Sequence, residues 1–138
     1  MRKRPVLFRS GRLLSLGFAQ KCIMSTDRLT QLQGMLADNP SDAFLLFALA
    51  KEHEKLGDGP RAMDFYLKLA AQHPDYVGNY YHLGKAYEAV RQEAKAFFTY
   101  KKGMDVARAA GDQHAYNELA AAKLFLGDDD DFEETDLV

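Results

Sequence analysis

Residues 80–90 read "YYHLGKAYEAV". Tyr80, Leu83 and Tyr87 recur at three- and four-residue spacing, which marks an amphipathic helix. Gly84 stands in its middle, where glycine costs about 1 kcal/mol relative to alanine. A glycine placed there asks for a neighbour so close that no side chain fits. The sequence on either side says where that neighbour comes from.

The helical signal runs through most of the chain. Ala, Leu, Lys and Glu dominate, Ile occurs once, and no segment alternates apolar and polar residues with β-branched enrichment. Breakers divide the rest. "DNPSD" (38–42) offers Ser41 as a helix cap, and "GDGP" (57–60) supplies a C′ glycine, an N-cap aspartate and a first-turn proline. "HPDY" (73–76), "AGDQ" (110–113) and Gly127 close the remaining segments. The pattern predicts six helices, over 26–37, 42–56, 59–73, 76–90, 93–110 and 113–126. Their short connections force antiparallel neighbours. The fold class is all-α.

Pro40 and Pro74 are 34 residues apart, as are Leu49 and Leu83, Ala50 and Gly84, Ala62 and Ala96, and Tyr66 and Tyr100. After a two-residue lengthening near 103–111, Tyr116, Leu119 and Ala120 echo Tyr80, Leu83 and Gly84. A fixed period of this size indicates a stack of repeats. Gly84, Ala50 and Ala120 are then small slots where paired helices approach. Ala62 and Ala96 supply the small residue on the partner helices. Leu49, Leu83, Leu119, Tyr66, Tyr87, Phe97 and Tyr100 fill the remaining volume at interior density.

This pattern resembles the tetratricopeptide repeat: a large residue, Leu-Gly, Tyr, Ala, an aromatic residue, then Pro. Residues 77–110 carry it in Tyr80, Leu83, Gly84, Tyr87, Ala96 and Tyr100. Residues 43–76 carry it in Leu46, Leu49, Ala50, Gly57, Ala62, Tyr66 and Pro74. His53 stands where Tyr is usual, Leu69 where Ala is common, and Arg91 and Arg108 replace the turn glycine and closing proline of the second repeat. The resemblance spans residues 27–127. It implies an α-solenoid with a right-handed superhelical twist, two full repeats, and capping helices at 26–37 and 113–126. Leu29, Leu32, Met35 and Leu36 form one stripe of the first cap. Leu124, Phe125 and Leu126 leave the outer face of the last one imperfectly covered. The resemblance implies a protein-interaction module rather than an enzyme.

The residues themselves carry no reaction chemistry. His53, His73, His82 and His114 do not pair at metal-ligand spacing, so neither metal nor cofactor is expected. "GKAYEAVRQEAK" lacks the upstream glycine and strand of a phosphate loop. Lys51 with Glu54, and Lys85 with Glu88, sit at i,i+3 helix-surface spacing. The longest apolar run, "AFLLFALA" (43–50), is too short to span a bilayer. The central region has 12 basic and 13 acidic residues, which argues against nucleic acid.

In a stack of helix pairs the first helix of each pair lines the concave side. Phe44, Phe47, Lys51, Glu54, Tyr81, Lys85, Glu88, His114 and Asn117 are the candidate groove residues. Lys51 and Lys85 occupy equivalent positions beside Phe47 and Tyr81. A peptide or partner helix with a negative group near the lysines is the expected ligand. The carboxylate clamp by which some tetratricopeptide domains grip chaperone C-termini is not expected. Its positions match Phe47, Lys51, His82, His114 and Glu118, leaving one lysine and an intruding acid.

Both ends are charged flanks. Residues 1–26 carry six basic residues and no acid, and 128–138 carry seven acids and no base. The first 24 residues read as a mitochondrial-type presequence, as a secretory signal around "LLSLGFA", or as a stretch ahead of a true start at Met24, which "MSTDRLT" favours. The one cysteine, Cys22, excludes an intramolecular disulfide. The leader and residues 128–138 are expected to be disordered. The chain is expected to be a cytoplasmic adaptor that binds a protein or peptide. The alternative is a structural protein that self-associates weakly through its terminal helices.

Overall fold

The computed structural model describes residues 27–138, and the readings of the leader lie outside them. Six α-helices follow: α1 over 27–38, α2 Ala43–Lys55, α3 Gly59–Gln72, α4 Val77–Ala89, α5 Glu93–Ala110 and α6 Gln113–Leu126. A short 3₁₀ helix, Glu134–Leu137, ends the chain. Aspartates cap three of the helices. Asp42, rather than Ser41, accepts the backbone N–H of Leu45 at 2.9 Å, because Asp42 directly precedes the first helical residue, Ala43, and so holds the N-cap position. Asp58 and Asp112 accept from Arg61 and Ala115 in the same way.

Gly57 and Gly111 adopt left-handed φ values of 76° and 71° after α2 and α5. The turn after α4 keeps that conformation without glycine: Arg91 has φ 59°. A left-handed non-glycine residue costs roughly 1–2 kcal/mol, and glycine returns part of that by loosening the unfolded chain. Arg91→Gly is therefore expected to raise stability by about 0.5–1 kcal/mol in a urea melt.

Helices α2 and α3, α4 and α5, and α5 and α6 pack as antiparallel neighbours, with α4 also touching α3 and α6. The core runs through the stack as three linked clusters, centred on Leu32, Leu45 and Leu49, on Ala50, Ala62, Tyr66 and Leu83, and on Tyr80, Ala96, Tyr100 and Leu119. Gly84 faces a ring here, not a small residue. A methyl group at position 84 would lie within the Tyr100 ring, at 2.5 Å from Cζ and 2.7 Å from Cδ1. Ala96 is buried beside that ring in the same cluster. In the first repeat the corresponding slot, Ala50, takes a methyl group against Tyr66.

A second slot escaped the repeat pattern. Gly103 in α5 holds Tyr80 so closely that a Cβ there would meet the Tyr80 Cβ at 2.5 Å and Leu119 Cδ1 at 3.1 Å. Ala120 is only half-buried, because no further helix follows to fill its slot, and Tyr87 is half-buried at the edge of the core.

The ends of the stack are closed by unlike devices. At the first end, Arg28 of α1 reaches Glu52 at 3.1 Å, and Lys55 supports the same carboxylate at 3.3 Å. Glu52 is buried, and its counterparts in later repeats are Ala86 and Ala122, so this ion pair belongs to the cap alone. At the other end the acidic segment departs from the expected disorder. Phe132 stacks on Phe97 of α5 with ring centroids 4.7 Å apart. Asp129 meets Lys123 at 2.5 Å and Lys101 at 3.7 Å. The 3₁₀ helix lies against α5. Phe132 supplies the apolar anchor that seven acids obscure in the sequence.

Candidate functional site

The 34-residue period repeats a polar unit as well as a core. In the first repeat Tyr66 of α3 donates its hydroxyl to Glu54 of α2 at 2.5 Å, and Lys51 holds the same carboxylate at 2.9 Å. In the second, Tyr100 of α5 donates to Glu88 of α4, and Lys85 lies 3.2 Å from that carboxylate. Each unit ties the second helix of a pair to the first. Burial pushes both tyrosine hydroxyls far above their ordinary pKa, and the facing carboxylates add to this, so both remain donors. Burial pushes Glu54 upward, but the Tyr66 hydroxyl and the Lys51 ammonium outweigh it and hold the carboxyl below its ordinary value.

A depressed carboxylate contributes stability that is present above its unfolded pKa and is lost as pH falls through the folded one. Tyr66→Phe removes a hydrogen bond to a charged, half-exposed group. It is expected to cost about 1–2 kcal/mol at pH 7. It should also reduce the loss of stability between about pH 5 and pH 3, both read from urea melts at stepped pH.

His82 joins the two repeats. Its ring stacks on Tyr66 at 5.9 Å and meets Phe47 at 5.4 Å and Tyr81 at 5.6 Å. Burial, and then the Lys51 charge, push its pKa down, against weaker pulls from Glu54 and Glu118. The neutral ring can accept from the Lys51 ammonium, with Nδ1 3.4 Å from Nζ. Asn79, wholly buried, fastens the same junction by donating to the Tyr66 carbonyl at 2.9 Å.

The candidate groove residues fall into three groups. Phe47, Lys51, Glu54, Tyr81, Lys85 and Glu88 come together with His82, Tyr66 and Tyr100 on the faces of α2 and α4. Phe47 also packs on Tyr76 at 5.5 Å. Phe44 stands 68% exposed at the start of α2. His114 and Asn117 are exposed on α6, His114 beside Glu118 at 3.7 Å and Asn117 accepting from Gln113 at 2.9 Å. Both lysines already have a carboxylate neighbour, so neither offers an uncompensated charge to a ligand.

A concavity opens next to this face, between the first half of α3 and the second half of α4. It encloses about 490 Å³. Its apolar wall is made by Pro60, Met63, Leu67, Ala86, Ala89 and Val90, and Glu54, Asp64, His82 and Lys85 border it. Of the candidate groove residues only Glu54 and Lys85 reach it. Reading the groove from the first helix of each pair missed the α3 half of this hollow. One signal was present: Met63, Leu67, Ala86 and Val90 are apolar positions outside the repeat's packing set.

Helix pairs on a 34-residue period, one continuous core and an apolar hollow at a repeat junction define a short helical-repeat solenoid. Relatives agree. A tetratricopeptide-repeat-containing protein of Pseudomonas aeruginosa is 33% identical over 88 residues, 64% of this chain and 84% of that protein. A tetratricopeptide repeat domain protein of Salinibacter ruber, known from a crystal structure, is 45% identical, with a TM-score of 0.60 over 62% of this chain and 94% of its own. A Bordetella parapertussis protein, 24% identical with a TM-score of 0.62, shares the fold over 71% of this chain and 85% of its own. No protein-family profile matches the chain. The chain belongs to the tetratricopeptide-repeat family. That fold generally mediates protein–protein interaction, typically as a non-catalytic scaffold. Among the described residues no helix is long and apolar enough to cross a membrane.

Proposed function

We propose that this chain is a non-catalytic adaptor that takes a peptide or a partner helix along the α2 and α4 face, anchored in the hollow between α3 and α4. The hollow carries this reading: apolar side chains line a concavity large enough for one or two ligand side chains, with polar groups at its border. In the aromatic wall beside it, Phe47 and Tyr81 already pack against His82, so ordering these rings on binding costs little. The repeated Tyr–Glu–Lys units neutralise the lysines, so affinity rests on apolar contact, and the charged rim sets orientation. Panning a random dodecapeptide library against the wild type and against Ala89→Trp tests the proposal. The exposed Ala89 borders the hollow, and an indole there occupies its mouth. Selected peptides should bind the variant at least tenfold more weakly. Binders indifferent to Ala89→Trp would overturn it.

Self-association through α6 is a second reading, favoured by Leu124 and Phe125, which are 70% and 84% exposed. In α6, Leu124 stands at the position of Glu54 and Glu88, so the polar unit of the first two repeats is replaced by an apolar face. A mass in light scattering that rises with concentration, and that Phe125→Lys returns to the monomer value, is its expected result.

A further inference from the structure

The two repeat junctions are alike in construction, and the chain itself fills one of them. Met63 of α3 corresponds to Phe97 of α5, and Arg91 after α4 corresponds to Gly127 after α6. The hollow between α3 and α4 is walled by Met63 and by Val90 and Gln92, which flank Arg91. In the crevice between α5 and α6 the same places are occupied by Phe132. Its ring stacks on Phe97, and it lies so near Gly127 that a Cβ there would meet the ring at 3.2 Å. The chain thus carries one occupied copy of the site and one open copy.

The charges around the two copies differ. Lys101 and Lys123 beside the filled crevice receive Asp129 of the acidic segment. Their counterparts one repeat earlier are Leu67, which lines the open hollow, and Tyr87, and neither holds a charge. Asp64 borders the hollow and has no ion-pair partner among the described residues, and its counterpart one repeat on is the uncharged Phe98. An acidic segment is therefore unsuited to the open copy, and a basic or neutral one suits it.

We infer that the α3–α4 hollow receives an aromatic side chain from a neutral-to-basic segment of a partner protein, seated on Met63 as Phe132 is seated on Phe97. This rests on the proposed adaptor function and names the chemistry of its ligand. A second copy's acidic tail is the disfavoured occupant, since it would bring seven acids to Asp64.

The test uses acetyl-GNKNNFKQTNLV-amide, which keeps the aromatic residue of the tail and replaces its acids. It is titrated into isotope-labelled full-length protein and followed by amide chemical shifts. Saturable shifts are expected at residues 63–67 and 86–92. They should weaken at least about tenfold when the peptide's Phe is changed to Ala, as loss of a buried ring demands. They should weaken severalfold for the native-sequence peptide GDDDDFEETDLV, and again in the Ala89→Trp protein. Equal binding of the Phe and Ala peptides, or shifts confined to Phe97 and Gly127, overturns the inference. So does a concentration-dependent mass that Phe132→Ala abolishes, which would assign the hollow to a neighbouring copy. Library ligands without aromatic residues that Ala89→Trp still blocks sink this inference while leaving the adaptor reading intact.

Discussion

Gly84→Ala is expected to lower the unfolding free energy by about 2 kcal/mol, although alanine is the better helix former. Helix propensity favours the substitution by about 1 kcal/mol. Overpacking a filled core costs about 1–3 kcal/mol and occasionally more. Overpacking wins here, with a cost at the upper end of that range, about 3 kcal/mol, because the obstructing group cannot swing away: Tyr100 is wholly buried, and its hydroxyl is held by Glu88. Gly34→Ala is the matched control. Gly34 lies inside α1 with open space where a methyl group would stand, so that change should raise stability by about 0.5–1 kcal/mol. Urea melts of the two variants should thus move in opposite directions, by roughly 3 kcal/mol in total. If both moved upward, the ring of Tyr100 would not be where the structure has it.

Phe132→Ala is expected to destabilise the protein by about 1.5–2.5 kcal/mol, close to the value of one large apolar side chain moved out of contact. Phe97, now wholly buried, would be uncovered at the same time. For a domain of this size each kcal/mol corresponds to roughly 4–8 °C, so a shift of about 10 °C in Tm is the expected reading. Truncation after Gly127 should reproduce most of that shift. The exposed contacts of Asp129 with Lys101 and Lys123 are expected to add little, and that part should fade at high salt. An unchanged melting curve after truncation would return residues 128–138 to the status of a solvated flank.

These two residues also mark how far the sequence could be followed. Period and breakers, in Leu49 and Leu83, Tyr66 and Tyr100, Gly57 and Gly111, made the six helices and their pairing legible, because helix periodicity and turn chemistry are local. The recurrence at 34 residues also picked out Gly84 as a tight slot. It did not reveal that the slot is filled by Tyr100, because a repeat pattern aligns equivalent residues and says nothing of which side chain crosses between helices. Gly103 stayed hidden for a related reason: its partner, Tyr80, is 23 positions away and off the period.

The candidate site was half legible. Lys51, Glu54, Lys85 and Glu88 were visible as paired charges on helix faces. Their capture by Tyr66 and Tyr100 depends on distances between helices. The hollow needed α3 and α4 together, so a reading confined to the first helix of each pair found only its border. The acidic segment illustrates the same limit most sharply. Composition by itself determined that residues 128–138 repel one another and favour solvent. Only the tertiary structure decided that one aromatic ring among them lies down on Phe97, because burial depends on a surface that the rest of the chain must first assemble.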